Sequence, residues 1–318
     1  MNKQTEQNDE IGFSVSCYKG DLPYLRGCLE SIKRFAPDAP VCLIADGQFS
    51  TDFFERNYGV TVIRKDDVHD QRLREKSFGF GVTKMIAFWE APFGIVYHLD
   101  ADTVLWGDPR ENLPSPLPDV VFNEPHEVIT EFIQKNQYFD PEKIFSVIEP
   151  FDWKERPYFN AGTLVVRKGT LSLDKYLELL DLRTKHPDLL INGDQGLLNI
   201  LIFSSVDQGL ITAQGAHQQT IVTVKPVEEL REEFQFDAGE PVVSGRPTVI
   251  HWPGLKPVPS NAEVFSEPMN YFRRKSFERK NPYLLPIGLA LRFDLFRATS
   301  LRKFGLRVKS SVKKLLGR

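Results

Sequence analysis

Short apolar runs alternate with stretches of helical periodicity through the first hundred residues. Phe13–Cys17, Val41–Ala45, Thr61–Arg64 and Ile95–Leu99 each read as a strand. Between the first two, apolar positions recur at Leu25, Leu29 and Ile32, with Asp21 placed to cap a helix and Pro23 in its first turn. Pro37 and Pro40 end that helix, Asp46-Gly47 turns the chain, Thr51–Asn57 predicts a short helix, and Thr83–Trp89 predicts another. Lys65–Phe80 reads as a charged loop. Strands alternating with helices predict a mostly parallel sheet covered on both faces. Ligands of such sheets lie outside the carboxyl ends of the strands, where Cys17, Asp46 and Asp100 fall.

The later chain is less regular. Pro114, Pro116 and Pro118 mark a loop before a strand at Asp119–Phe122. Ala161–Val166 reads as a strand, Leu173–Leu182 has helical spacing, Asp194–Phe203 predicts a helix capped by Asn192, and Thr248–His251 is a last strand before a Pro- and Gly-containing turn. Glu131–Trp153, aromatic and polar, matches no single period, and no internal repeat is visible. Near the end, Leu301, Phe304, Val308, Val312 and Leu315 recur at helical spacing, with Arg302, Lys303, Arg307, Lys309, Lys313 and Lys314 between them. This predicts a basic amphipathic helix lying on an anionic membrane surface, to which Tyr283–Phe296 adds aromatic and aliphatic residues. The alternative is a helix packed on the domain with a solvated basic face. The expected organisation is a disordered tail over 1–10, one α/β domain over 11–270, and a basic helical region over 271–318.

Composition narrows the class. With 318 residues, 41% hydrophobic and 26% charged, the chain can bury a sizeable core and is not a disordered or low-complexity protein. The net charge of −3 argues against a nucleic-acid partner. From Arg273 onward there are 14 Lys and Arg against two acids, Glu278 and Asp294, so this segment is +12 and the remainder −15. That asymmetry suits a tail meeting an anionic surface. Cys17, Cys28 and Cys42 show no C-x-x-C spacing and read as buried thiols of a reducing compartment. Met1–Glu10 is polar and acidic, unlike a signal peptide, and no apolar run reaches the roughly 20 residues that cross a bilayer. The expected location is cytoplasmic, with a peripheral position on the inner face of the membrane.

Four constellations carry candidate chemistry. The strand ending Tyr97-His98-Leu99-Asp100-Ala101-Asp102-Thr103 presents two carboxylates one residue apart, suited to Mg²⁺ or Mn²⁺ bridging diphosphate oxygens. In His251-Trp252-Pro253-Gly254-Leu255-Lys256-Pro257, the imidazole can complete the ligands of that ion, Lys256 can supply a point charge, and Gly254 allows close backbone approach. Tyr158-Phe159-Asn160-Ala161-Gly162 leads into a strand, and Asn192-Gly193-Asp194-Gln195-Gly196-Leu197-Leu198-Asn199 opens a helix. Asn160, Asp194 and Gln195 are side chains that grip sugar hydroxyls. Each has a plain structural alternative: a strand-ending turn for the aspartates, a satisfied histidine, an Asx turn for Asn160, helix capping for Asn192 and Asp194.

In this order the four resemble glycosyltransferase family 8, the group of glycogenin and bacterial lipopolysaccharide galactosyl- and glucosyltransferases. The resemblance spans roughly residues 11 to 257. It rests on Asp100-Ala101-Asp102, Phe159-Asn160-Ala161-Gly162, Asp194-Gln195 with Leu198-Asn199, and the H-x-x-G-x-K-P run from His251 to Pro257, with Thr83-Lys84-Met85 before the D-x-D strand. It implies a GT-A fold, a UDP-sugar (UDP-hexose) donor, a glycan or lipid-linked acceptor, Mn²⁺ (or Mg²⁺), and retention of anomeric configuration. By that resemblance Asp100, Asp102 and His251 hold the metal, and Lys256 contacts the diphosphate. Lys84 and Asp46 belong to the donor site. Asn160, Asp194 and Gln195 are the candidate catalytic residues of the sugar pocket, with Gln195 beside the anomeric carbon. The segments Lys65–Phe80 and Glu131–Trp153 lie outside the resemblance.

Three rival readings differ in what they require. A haloacid-dehalogenase-like phosphatase wants its D-x-D-G-T on the first strand, whereas here Thr103 stands where Gly belongs and three strands precede it. A sugar nucleotidyltransferase wants a Gly-rich, Arg-containing phosphate loop after the first strand, and Ser16-Cys17-Tyr18-Lys19-Gly20 is not one. A non-catalytic sugar-nucleotide-binding module fits poorly with the intact set of carboxylates, His251 and Lys256.

Overall fold

The computed structural model of the chain describes residues 9–79, 81–124, 130, 134–135, 137–154, 156–190, 194–254, 256–257 and 264–298. Its frame is a seven-stranded sheet of β1 (Ile11–Tyr18), β2 (Val41–Asp46), β3 (Thr61–Ile63), β4 (Ile95–Asp100), β6 (Val120–Asn123), β7 (Thr163–Arg167) and β8 (Ala213–Ala216), in the order β3-β2-β1-β4-β7-β6-β8. The pairs β3–β2, β2–β1, β1–β4 and β6–β8 are parallel, and β7 runs antiparallel between β4 and β6. A second sheet sets β12 (Thr248–His251) between β5 (Thr103–Trp106) and β9 (Gln219–Ile221). A two-stranded ribbon joins β10 (Phe236–Asp237) and β11 (Glu240–Pro241). The expected α/β architecture, a mostly parallel sheet with helices on both faces, is the one observed.

The central strands are apolar nearly end to end because both faces are covered. Residues alternate between two cores at the strand period of two. Cys42, Ile44, Val96, Leu164 and Val166 face one core, and Phe13, Val15, Leu43, Tyr97, Leu99 and Val165 the other. The first core is roofed by α4 (Ala87–Glu90), the 3₁₀ turn before it at Val82–Ile86, α6 (Leu173–Lys185) and α7 (Gln195–Asp207). Gly196–Ser205 of α7 are all buried, as expected of a helix that is hydrophobic all round. The second core lies under α1 (Leu22–Phe35) and α2 (Asp52–Tyr58).

Several expectations are adjusted. Lys65–Phe80 is not simply a loop: it holds a 3₁₀ turn at Lys65–Asp67 and α3 (Gln71–Lys76), with Asp70 accepting from the Arg72 and Leu73 N–H groups at 2.8 and 3.1 Å. Only Leu73 of α3 is buried, so no apolar period marks it. Part of Glu131–Trp153 forms α5 (Pro141–Ile144). Asp21 occupies the N-cap of α1 without a side-chain cap bond. All three cysteines are buried and free.

The basic C-terminal region begins as part of the domain. After α8 (Val227–Glu233), α9 (Glu267–Arg279) packs on α1, and a helix α10 over 287–298 follows. Arg273 is fully buried, donating to the Pro23 and Leu291 carbonyl oxygens at 3.1 and 3.2 Å. Asp294 accepts from the Tyr283 hydroxyl at 2.6 Å and sits 3.4 and 3.5 Å from the Arg26 and Arg273 guanidinium groups. The amphipathic stripe Leu301–Leu315 and the cap at Asn192 lie outside the described residues, as does most of the tail over 1–10. Among the described residues no helix is long and apolar enough to cross a membrane.

Candidate active site

The register of the strands gathers the candidate residues at one edge. Tyr18 of β1 stands opposite Asp46, and Ser16 opposite Asp100, so the carboxyl ends of β1, β2 and β4 are level. Because β7 is antiparallel, its start lies at that edge too: the Asp100 N–H donates to the Gly162 carbonyl oxygen at 3.1 Å. The second sheet contributes the histidine. β12 pairs with β5 so that His251 is opposite Thr103, and the Trp252 N–H donates to the Asp102 carbonyl oxygen at 3.2 Å.

One ligand atom each from Asp100, Asp102 and His251 therefore lies within 4.8 Å of the others. His251 Nε2 is 3.7 Å from Asp100 Oδ2 and 3.9 Å from Asp102 Oδ1, too far for direct hydrogen bonds and suited to a cation between them. Burial holds the His251 imidazole below its ordinary pKa, against the pull of Asp102 and Asp100, so the ring is neutral. Its Nδ1 lies 2.8 Å from Gln219 Oε1, which can only accept, so Nδ1 carries the proton and Nε2 offers a lone pair. Two carboxylates and a neutral imidazole form a donor set for Mn²⁺ or Mg²⁺.

Lysines balance the carboxylates. Lys84 is buried, 2.9 Å from Asp100 Oδ1 and 2.7 Å from Asp194 Oδ2, and donates to the Ala161 carbonyl oxygen at 3.2 Å. Burial alone would depress its ammonium, but Asp100 and Asp194 outweigh it and hold the pKa above that of an ordinary lysine. Burial likewise opposes ionisation of Asp100, but Lys84 and His98 prevail, keeping its carboxyl well below the usual range. His98 sits 3.3 Å from Asp100 Oδ1 and 3.2 Å from the Ser14 hydroxyl. Lys256 pairs with Asp102.

A cavity of about 350 Å³ opens here, lined by Asp46, Lys84, Asp100, Asp102, Asn160, Asp194, Gln195, His251, Gly254 and Lys256. Every described candidate is thus in one place. Asp46 accepts from the Gly79 N–H at 2.9 Å and the Thr83 hydroxyl at 2.7 Å, tying β2 to the turn that carries Lys84. Asn160 does form the Asx turn, accepting from the Gly162 N–H at 2.8 Å, while also facing the cavity. Asp194 sits at the N-cap of α7 without a cap bond, since its carboxylate is on Lys84. Gln195 Oε1 is buried with no hydrogen-bond partner among the described residues, an acceptor fitted to a ligand hydroxyl. Gly254 has φ +79°, a conformation that disfavours side chains, with open space where a Cβ would stand.

Sequence reasoning missed Gln219, His98 as a partner of Asp100, and the lining residues Ser16, Tyr18, Asp21 and Thr83. The signal for Tyr18 and Asp21 was available, since they follow a strand at the ligand-bearing edge. Gln219 had none: it lies on a three-residue strand with no apolar alternation.

No family model matches the sequence, and no curated protein matches it significantly. Solved structures do match. The galactosyltransferase LgtC in complex with donor and acceptor sugar analogs superposes with TM-score 0.53 at 14% identity, over 86% of this chain and 97% of that one. The glycosyltransferase GlyE of Streptococcus pneumoniae TIGR4 gives 0.50 at 15% identity over 89% of this chain, and the bifunctional WbbM 0.50 at 13% over 88%. This chain spans 63% of GlyE and 53% of WbbM. The fold is that of GT-A glycosyltransferases.

Proposed function

We propose that the chain is a metal-dependent glycosyltransferase that moves a hexose from a UDP-sugar to a glycan or lipid-linked acceptor with retention of configuration. The observation that carries this reading is the meeting of Asp100, Asp102 and His251 in the cavity that also holds Asn160, Asp194 and Gln195. A Mn²⁺ or Mg²⁺ ion held there would neutralise charge on the diphosphate leaving group. Lys256, on the same cavity wall, adds a positive charge toward that diphosphate, and such charges lower the barrier where negative charge develops. Asp46 and Lys84 shape the donor site. Asn160, Asp194 and Gln195 hold the sugar, with Gln195 next to its reacting carbon. Inversion needs a carboxylate as general base. Asp46, Asp100, Asp102 and Asp194 are each engaged by a donor or a lysine; Asp21, the fifth carboxylate lining the cavity, is the group to test as such a base, and under retention Asp21→Asn should keep turnover.

Contact with anionic membrane is part of the proposal. Leu284, Leu285, Leu289, Phe293 and Phe296 are exposed around α10, Leu284 at 95% and Phe296 at 67%, in a segment dense in Lys and Arg. Lipid binding would place the enzyme beside a lipid-linked or surface glycan. Sedimentation with anionic vesicles tests it: removal of 284–318 should abolish binding, and unchanged binding refutes this part.

The main test is a panel of nucleotide sugars with Mn²⁺, Mg²⁺ or chelator. Cation-dependent release of UDP is expected. Release of pyrophosphate would indicate a nucleotidyltransferase, and no product with any donor would leave a binding module.

A further inference from the structure

The cation site has a built-in orientation relay that starts from a backbone amide. The Gly162 N–H donates to Asn160 Oδ1 at 2.8 Å, which fixes which end of the Asn160 amide is oxygen. Gln219 lies against that oxygen at 3.4 Å and must turn its NH₂ toward it, because two carbonyl oxygens would repel. The other end of Gln219, Oε1, then faces His251 Nδ1 at 2.8 Å. Gln219 and His251 are both buried, so a mismatched donor or acceptor has no water to turn to. Gly162 also confines the ring, since a Cβ there would lie 2.1 Å from His251 Cε1.

We propose that Gln219 is a positioning residue for the cation site: it holds His251 with its proton on Nδ1 and Nε2 turned to Asp100 and Asp102, and it ties that choice to the Asn160 turn. This rests on the cation-dependent reading above. Partners of this kind fix the tautomer and ring orientation of metal-binding histidines. Here the partner also touches the residue proposed to grip the sugar, so the ion and the sugar pocket share one hydrogen-bonded chain.

The test compares the parent protein with Gln219→Leu and Gln219→Glu. Glutamate keeps the acceptor for His251 and loses the donor to Asn160, whereas leucine loses both. Two readouts are taken without nucleotide or acceptor. The His251 tautomer is read by NMR on ¹⁵N-histidine-labelled protein, its signal identified by its loss in His251→Ala. Mn²⁺ affinity is read by electron paramagnetic resonance of the unbound ion. The parent should show one tautomer, protonated at Nδ1. Gln219→Leu should lose that preference and bind Mn²⁺ about 10–100-fold more weakly, while Gln219→Glu should stay within about threefold of the parent. In turnover, Gln219→Glu should raise KM for the donor sugar. Unchanged tautomer and affinity in Gln219→Leu would overturn the proposal, as would equal losses in both variants, which would mark the residue as packing only. Absence of Mn²⁺ binding in the parent would instead refute the cation reading, and the tautomer comparison would still decide the role of Gln219.

Discussion

At the scale of single residues, Asp102 is one of three side chains offered to a cation, so Asp102→Ala should lower cation-dependent UDP release at least about 100-fold in steady-state assays, if removing a ligand costs no less than removing its support. Asp100, Asp102, His251 and Lys256 stand out because carboxylate spacing and an H-x-x-G-x-K-P run are visible in a string of letters. Gln219 reaches His251 across 32 residues through strand register, and His98 reaches Asp100 as its neighbour two residues on along β4. The alternatives for Asn160 and Asp194 split: the Asx turn exists alongside the cavity role, while Asp194 gives up the cap for Lys84. Gly162→Ala pushes a methyl into the His251 ring, and should weaken Mn²⁺ binding about 10–100-fold with the fold intact by circular dichroism.

At the scale of elements, β1, β2, β4 and β7 and the helices α1, α6 and α7 follow from apolar periodicity, because each is buried and long enough to show a period. β5, which follows the D-x-D turn directly, the polar β8 and β9 and the charged α3 do not, since β8 and β9 hold no apolar run and α3 buries only Leu73. Yet β5 and β9 are what bring β12, and with it His251, to the D-x-D turn. The region beyond 270 shows a different omission: its charge is obvious, but the buried Arg26–Asp294–Arg273 cluster that fastens α10 to α1 and α9 is not. Asp294→Ala would leave two buried guanidinium groups without their carboxylate, and should destabilise the protein by about 3–5 kcal/mol in urea unfolding. A loss below about 1 kcal/mol, the range of exposed pairs, would mean α10 is only loosely docked.

At the scale of the whole molecule, two sheets meet at one edge and leave a cavity there, as in open α/β folds whose ligands gather outside the strand ends. Along the sequence the charge is −15 before Arg273 and +12 from there on. The core also makes a chemical prediction. Burial pushes the Cys28 and Cys42 thiols up to about 12, and burial with nearby Asp21 raises Cys17 well above its ordinary value. The folded protein should therefore resist thiol reagents at pH 8, and all three thiols should react in guanidinium. Rapid modification of the native protein would show that the core opens readily.

The claim on which the rest stands is that Asp100, Asp102 and His251 share one cation in the cavity where the nucleotide sugar binds. A crystal soaked with Mn²⁺ and UDP, measured at the manganese absorption edge, tests it directly. The account predicts one anomalous peak within coordination distance of all three side chains, with the diphosphate of UDP against it and Lys256 alongside. A peak elsewhere, or UDP bound outside this cavity, would contradict it.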